Sequence, residues 1–490
     1  MAAESMSPGR LRALEVGVPV REGEYGDRVM AVEPGGIEYI PLDERHGTPR
    51  QLFWTWNSPN WEFATMFLGV IPIVVFGGGF WPTVLAVLIG SALGAAAVGI
   101  LSTWGPRFGV PQLVESRGAF GYLGNFLPAG LNALTAGIGW FAVNTISGTF
   151  ALSTLTHLPF QVALILIVLL QVFVAFIGHN FIHQFEKIAF PYLAIVFTIA
   201  TLVILAQSDF GVGFNARAPV AFGGPSGAFI LSMFISFAYA AGWAPYSMDY
   251  ARYLQPAVRS RSVFWSAMLG VFVPCAILEI GGAGLATVAG TAWGPADSPT
   301  DQLVKPLPGI LAGLTLLGIA LGAVSANVLN IYSGAMSFLA LGVRVGSLRM
   351  QRGLVAIVFG VIGYLVARAG ELDAGHSYEN FLLLIGYWIT PFLGVVLVDY
   401  WLRRGRYDER EFFDRRHNGI AGAAAMAAGV VVSIPFWNQA LWHGPVVDAL
   451  PQLGDLSFIV GFVVAAGVYF ALAGKSATQA AAAAAAASTA

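Results

Sequence analysis

Long apolar runs constrain this chain more than any other feature. A helix needs about 20 apolar residues to cross the hydrocarbon of a bilayer. Twelve runs of that order fall at roughly 58–79, 82–103, 127–153, 160–178, 188–207, 227–248, 263–289, 307–340, 354–370, 380–402, 420–437 and 456–474. They are numbered here as spans 1 to 12. The eighth is too long for one simple crossing and implies a re-entrant or tilted portion. Composition agrees: 11% of the residues are charged and the mean hydropathy is +0.71, whereas a soluble protein carries about 25% charged residues. The net charge of -2 and the lack of a basic stripe argue against a nucleic-acid partner. Cys275, the one cysteine, has no intrachain partner and reads as core filling. The opening "MAAESMSPGRLRALEVG" lacks the apolar stretch of a secretory signal. The expectation is an all-α polytopic membrane protein of about 12 transmembrane helices.

Lys and Arg set the orientation, since cytoplasmic loops collect them. With the N-terminus inside, the inner loops hold fifteen: Arg107, Arg117, Lys187, Arg252, Arg259, Arg261, Arg344, Arg349, Arg352, Arg403, Arg404, Arg406, Arg410, Arg415 and Arg416. The outer loops hold Arg217 and Lys305, with Arg368 at a span edge. Both termini are therefore expected in the cytoplasm of a multi-pass protein of the cell membrane. Residues 1–50 read as a loosely ordered cytoplasmic arm and 51–405 as a ten-helix core. Residues 406–475 read as two additional helices, and the alanine-rich 476–490 as a disordered tail, because nothing there offers a packing face.

Polar residues inside a span are costly and are site candidates by default. Span 1 opens "TWNSPNWEFATMFLG", with Asn60, Glu62 and Thr65 beside Pro59; span 6 reads "SFAYAAGWAPYSMDYARY", interrupted at Gly242-Trp243-Ala244-Pro245. Interrupted helices in corresponding places of two halves point to a transporter's central site. Spans 1 and 6 correspond if spans 1–5 and 6–10 are inverted repeats, and span 3 then pairs with span 8. Both carry an amide, Asn144 and Asn327. In span 3, "LNALTAGIGWFAVNTISG", Trp140 and Asn144 are four residues apart and share a helix face. An indole is a platform for planar rings, and an amide matches the donors and acceptors of a nucleobase edge. Two readings stand for this pair: packing between helices, or recognition of a neutral, flat, hydrogen-bonding solute. Gly137-x-Gly139-x-x-Ala142 reads as helix packing, because a dinucleotide fingerprint must follow a strand. Gly90-x-x-x-Gly94 and Gly318-x-x-x-Gly322 read as packing too.

The segments "WNSPNWEFATMFLG", "GPRFGVPQLVESRGAFGYLGNFLPAGLNALTAGIGWFAVN", "GHNFIHQFEKIAFPY", "GWAPYSMDYARYL", "SANVLNIYSGAMSF" and "GYWITPFLGVVLVDYWLRR" together resemble the purine–cytosine permease branch of the nucleobase–cation symporter-1 family. The resemblance covers roughly residues 50–405. It implies a 5+5 inverted-repeat core of the leucine-transporter (LeuT) type plus two extra helices, and import of a nucleobase with a proton or sodium ion. It implies that Trp140 stacks on the base, that Asn144 and Asn327 hydrogen-bond it, and that span 1 lends polar groups from Asn60 to Thr65. It also implies an aromatic near the span 6 break, for which Tyr239 and Trp243 both qualify.

Sodium-coupled members carry Ser or Thr one to two turns before the span 8 asparagine. Gly318, Leu321 and Gly322 stand there and offer no side-chain oxygen, so the co-transported ion expected is H+ rather than Na+, with no cofactor and no bound metal. Proton coupling needs a titratable group, and Glu62, Glu279 and Asp249 are the candidates. Asp249 and Asp399, at span ends, also read as interface anchors. His179 and His183 lack the further ligands of a metal site. Carriers of allantoin, hydantoin, thiamine or a pyridoxine-like ring fit the same features. An intramembrane enzyme is the remaining rival; its only closely spaced carboxylates, Asp297 and Asp301, lie in an outer loop without a partner cluster.

Overall fold

The computed structural model describes residues 18–21, 25–219, 223–293, 298–343, 346, 350–369, 374–439 and 442–487. Arg344, Arg349, Asp297, and residues 1–17 and 22–24 of the expected arm lie outside them. Among the described residues, ten helices are long and apolar enough to cross a membrane, and two shorter apolar helices, Phe63–Val74 and Ala421–Phe436, complete the set. These twelve segments fall on the twelve expected spans.

The broken spans differ in register from expectation. Span 1 begins at Pro49, not near 58, and comes in two pieces, Pro49–Asn57 and Phe63–Val74. Thr48 and Gln51 form a capping box at its start, and the 3-10 turn Ser58–Asn60 and an extended Glu62 make the break. Pro59 inside the segment is the cause, since its ring and missing N–H prevent a continuous helix. Span 6 breaks after Gly224–Ala241, turns through Ala244–Tyr246, and resumes as Ser247–Ala251. Span 3 has a third irregularity, a π-helical turn over Thr135–Trp140 between Phe126–Leu134 and Phe141–Thr156. Such turns insert an extra residue and recur at functional sites. Span 8 is one uninterrupted helix, Gly309–Ala340, which removes the re-entrant alternative. Its 32 residues extend about 48 Å at 1.5 Å per residue.

Helix contacts follow the pairing that inverted repeats require. Span 2 (Phe80–Ser102) packs on span 6, and span 7 (Ser260–Leu285) packs on span 1, its repeat-related contact. Spans 3 and 8 pack on each other, as do span 4 (Phe160–Ile177) and span 9 (Gln351–Ala369). Span 10 (Ala374–Arg403) packs on span 12 (Ser457–Ala487). Glycines weld spans 1, 2, 6 and 7 together. A Cβ on Gly90 would lie 2.3 Å from the Met233 carbonyl oxygen, and one on Gly94 2.6 Å from that of Phe237. Cβ atoms on Gly69 and Gly282 would meet the carbonyls of Glu279 and Met66 at 1.9 and 1.8 Å. Gly137 likewise packs against Gly334 and Phe359, as a packing glycine should.

Two expectations for the termini are corrected. The described part of the arm is not loose. Glu33 is buried, and its Oε1 accepts hydrogen bonds from the hydroxyls of Tyr253 and Tyr332. Its Oε2 accepts from the His179 backbone N–H, and Arg252 and Arg352 lie 3.4 and 3.6 Å from the carboxylate. Arg21 of the arm lies 3.6 Å away and also pairs with Glu44 at 2.8 Å. Burial pushes the Glu33 carboxyl up, but Arg352, Arg252 and Arg21 outweigh it and hold the group below the ordinary carboxylate value. The arm thus ties the ends of spans 5, 6, 8 and 9, and its Glu33 N–H bonds Ile177 at the end of span 4. Gly178, at φ +110, permits this approach, since a Cβ there would lie 2.6 Å from the Glu33 Cβ. The tail is not disordered from 476 either, because the last helix continues to Ala487. Alanine sacrifices no side-chain entropy in a helix, so an existing span propagates through it.

Candidate functional site

The breaks of spans 1 and 6, the π turn of span 3 and the middle of span 8 converge on one buried cavity. Glu62 lines it from span 1, Trp140 and Asn144 from span 3, and Asn330 from span 8. Span 6 contributes Tyr239, Gly242, Trp243 and Tyr246. Tyr239 and Trp243 therefore both belong to the site. The Trp140 and Tyr239 rings meet edge to face with centroids 5.5 Å apart, and Phe381 of span 10 closes on Trp140 at 5.1 Å. The cavity measures about 10 Å³, room for one water molecule. A small-molecule pocket is typically about 300 Å³ or more, so the rings stand closed on one another and must part to admit a solute.

Polar atoms line the rim. The Tyr239 hydroxyl donates to Glu62 Oε1 at 3.0 Å and lies 2.5 Å from Thr65 Oγ1. Glu62 Oε2 and Asn144 Oδ1 are buried acceptors with no partner. Such groups cost free energy unless something donates to them. Trp243 Nε1 donates to Asn60 Oδ1 at 3.0 Å, and Asn60 Nδ2 donates to the Trp56 carbonyl at 2.8 Å. Asn60 and Thr65 therefore orient the lining residues from behind.

Asn327 is also set back from the cavity. Its Nδ2 donates to the Phe141 carbonyl at 2.9 Å and to Thr145 Oγ1 at 3.0 Å. Its Oδ1 accepts from Asn144 Nδ2 at 3.2 Å and from Asn330 Nδ2 at 3.3 Å. It holds two lining amides in place, and Asn330, which sequence reasoning did not single out as a contact, is the span 8 amide on the cavity. Tyr246 donates to Asn330 Oδ1 at 3.3 Å.

The other coupling candidates lie elsewhere. Glu279 is buried between spans 2 and 7, accepting from Ser91 Oγ at 2.8 Å. Asp249 sits near the end of span 6 toward the basic loops and accepts from the Gln112 backbone N–H at 3.1 Å. Asp399 is an anchor, bonded by Arg403 at 2.9 Å and by the Tyr407 and Tyr469 hydroxyls at 2.7 Å. His183 is taken up by Trp54 and Thr55 of span 1. Among the described residues no cluster of three metal-ligating side chains occurs. Sequence reasoning missed Glu186 altogether. Span 5 begins at His179 rather than near 188, which puts Glu186 inside a helix, fully buried and 2.5 Å from Ser325 Oγ of span 8.

Residues 39–461 match the profile of a family described as permeases for cytosine/purines, uracil, thiamine and allantoin. The chain is 30% identical over 486 residues to the purine-cytosine permease fcyB of Emericella nidulans, covering 93% of each chain. It is 29% identical over 459 residues to the putative purine-cytosine permease YxlA of Bacillus subtilis, covering 90% of this chain and 96% of that one. Its fold is similar to that of Mhp1, a nucleobase-cation-symport-1 family transporter solved in a closed conformation with bromovinylhydantoin bound. That match has a TM-score of 0.72 at 19% identity and covers 92% of this chain and 95% of Mhp1. An inward-facing conformation of Mhp1 matches at a TM-score of 0.67 and 19% identity, covering 94% and 96%.

Proposed function

The chain belongs to the family of permeases for cytosine/purines, uracil, thiamine and allantoin, and on that premise we propose that it imports a nucleobase, cytosine or a purine, by alternating access together with a proton. The cavity carries this reading: flat aromatic walls from Trp140, Tyr239 and Trp243 enclose a rim of two amides and a carboxylate. Stacking a base on an aromatic side chain contributes about 1–3 kcal/mol. Asn144 Oδ1 and Glu62 Oε2, both unpartnered, are acceptors for ring or exocyclic N–H groups. Among the described residues no Lys or Arg lines the cavity, which favours a neutral solute over an anion. The basic loops face the cytoplasm of a plasma-membrane protein in this reading, with both termini inside and solute entering from the opposite face.

Competition against labelled cytosine uptake, in cells lacking their own permeases, tests the substrate. Cytosine, adenine, guanine or hypoxanthine is expected to compete at the lowest concentration. Competition only by allantoin, a hydantoin, thiamine or a pyridoxine-like ring would reassign the solute while keeping the carrier. For coupling, uptake is expected to collapse with a protonophore and to ignore replacement of sodium; a strict sodium requirement reverses the assignment.

A further inference from the structure

Glu186 of span 5 lies apart from the cavity, where side-chain oxygens of spans 1, 5 and 8 come together. Ser325 Oγ of span 8 donates to its Oε2 at 2.5 Å, and Ser58 Oγ, in the break of span 1, lies 3.2 Å from Ser325 Oγ. Oε1 is buried and has no partner. No described Lys, Arg or His pairs with the carboxyl. From its own helix, His183 has both ring nitrogens engaged by Trp54 and Thr55, and the Lys187 ammonium sits over the Trp54 ring at 5.9 Å. Span 6 presents Tyr250, whose hydroxyl donates to the Leu329 carbonyl at 3.3 Å. A charged carboxylate in this place lacks a counter-ion, whereas a carboxylic acid is neutral and keeps the bond from Ser325 at Oε2 while carrying its proton on Oε1.

Location separates this group from the other buried carboxyls. Glu279 lies between spans 2 and 7, inside the glycine-welded bundle, so its surroundings are unchanged when that bundle moves as a body. Glu62 faces the solute. Glu186 and Ser325 belong to spans 5 and 8, while Ser58 belongs to span 1 of the bundle, so the three straddle the seam between two bodies. We propose that Glu186 carries the co-transported proton. The proton enters from the outer solution and binds carboxylate Oε1, giving the neutral acid while the seam is closed. It returns to water as the cytoplasmic side of the seam opens and Ser58 withdraws.

This inference rests on the nucleobase-importer reading. Its test uses the full-length protein in liposomes and measures two things: cytosine exchange with no gradient, and accumulation with acidification of the lumen under an imposed proton gradient. Wild type is expected to do both, with accumulation of about 50-fold for 100 mV acting on one charge. Glu186→Gln is expected to keep exchange but show an accumulation ratio of one and no lumen acidification. Glu186→Asp is expected to restore part of both. Glu279→Gln is expected to accumulate as wild type does. Proton-driven accumulation by Glu186→Gln overturns the proposal, as does a folded Glu186→Gln that loses exchange. If that variant fails to fold, Glu186→Asp with an unaltered pH profile of accumulation overturns it instead. Absence of exchange of any nucleobase by wild type refutes the importer reading rather than this one.

Discussion

Asn327 and Asn330 lie three residues apart on span 8, and the structure gives them different tasks that mutation separates. Asn327 makes four hydrogen bonds, donating to Phe141 and Thr145 and accepting from Asn144 and Asn330. At about 1 kcal/mol net for each bond, Asn327→Ala is expected to destabilise the protein by up to about 4 kcal/mol, a large share of the ~5–15 kcal/mol that holds a typical protein folded. Asn330 makes two long bonds, each 3.3 Å, to Asn327 and Tyr246. Asn330→Ala is therefore expected to cost about 1 kcal/mol of stability and to lose one contact to the solute. A neutral hydrogen bond of ~0.5–1.5 kcal/mol converts to a roughly 2- to 13-fold weaker affinity. Melting of purified protein in detergent, beside KM for cytosine uptake, reads both quantities. The expected pattern is a large fall in Tm for Asn327→Ala and a raised KM at near-normal Tm for Asn330→Ala. An unchanged Tm with a raised KM for Asn327→Ala would show that Asn327 touches the solute, and would refute this division of roles.

Trp140→Ala is expected to weaken cytosine binding by about 5- to 150-fold, the equivalent of ~1–3 kcal/mol of stacking, and Trp140→Phe to recover part of it; a binding titration decides. Glu33→Gln leaves Arg21, Arg252 and Arg352 buried without their common carboxylate and is expected to cost about 3–5 kcal/mol. Because Glu33 is held below the ordinary carboxylate value when folded, its stabilisation is fully present above about pH 4.5 and is lost as the pH falls through the depressed value. The Tm gap between wild type and Glu33→Gln should accordingly be constant from pH 8 to 5 and narrow below that. Gly94→Val puts a side chain where a Cβ alone would meet the Phe237 carbonyl at 2.6 Å, and is expected to cost at least ~1–3 kcal/mol. Gly130→Ala, with nothing within 4 Å of the new methyl, is expected to raise stability by about 0.5–1 kcal/mol; detergent melts compare the two.

The spans were legible because hydrocarbon admits few alternatives, and the two broken helices because Pro59 and the Gly242–Pro245 turn leave a mark in sequence. Trp140 and Asn144 were legible as a pair, since helical spacing alone puts them on one side. The phase of span 8 was not. Packing against span 3 decides whether Asn327 or Asn330 meets the cavity, and that packing includes a π turn that no residue type announces. Glu186 was hidden because "HNFIHQFEK" is polar enough to pass for a loop. Its polar groups are spent on the arm and on span 1: Asn180 on Tyr25, Gly26 and His46, and His183 on Trp54 and Thr55. The arm escaped notice for a related reason. Glu33 looks like any surface glutamate until Arg252 and Arg352, distant in sequence, are brought to it beside Arg21.

At Gly69, Gly90, Gly94 and Gly282, span 1 meets span 7 and span 2 meets span 6 backbone to backbone, with no side chain at those joints to rearrange. Sliding at those joints would drive carbonyl oxygens into main-chain atoms already at van der Waals distance. Motion must therefore take place where larger, reorientable groups meet, along spans 3, 5 and 8. Trp140, Asn144 and Asn330 of the cavity lie on that boundary, so under the proposed function part of the surface that grips the cargo is the part that slips during its passage.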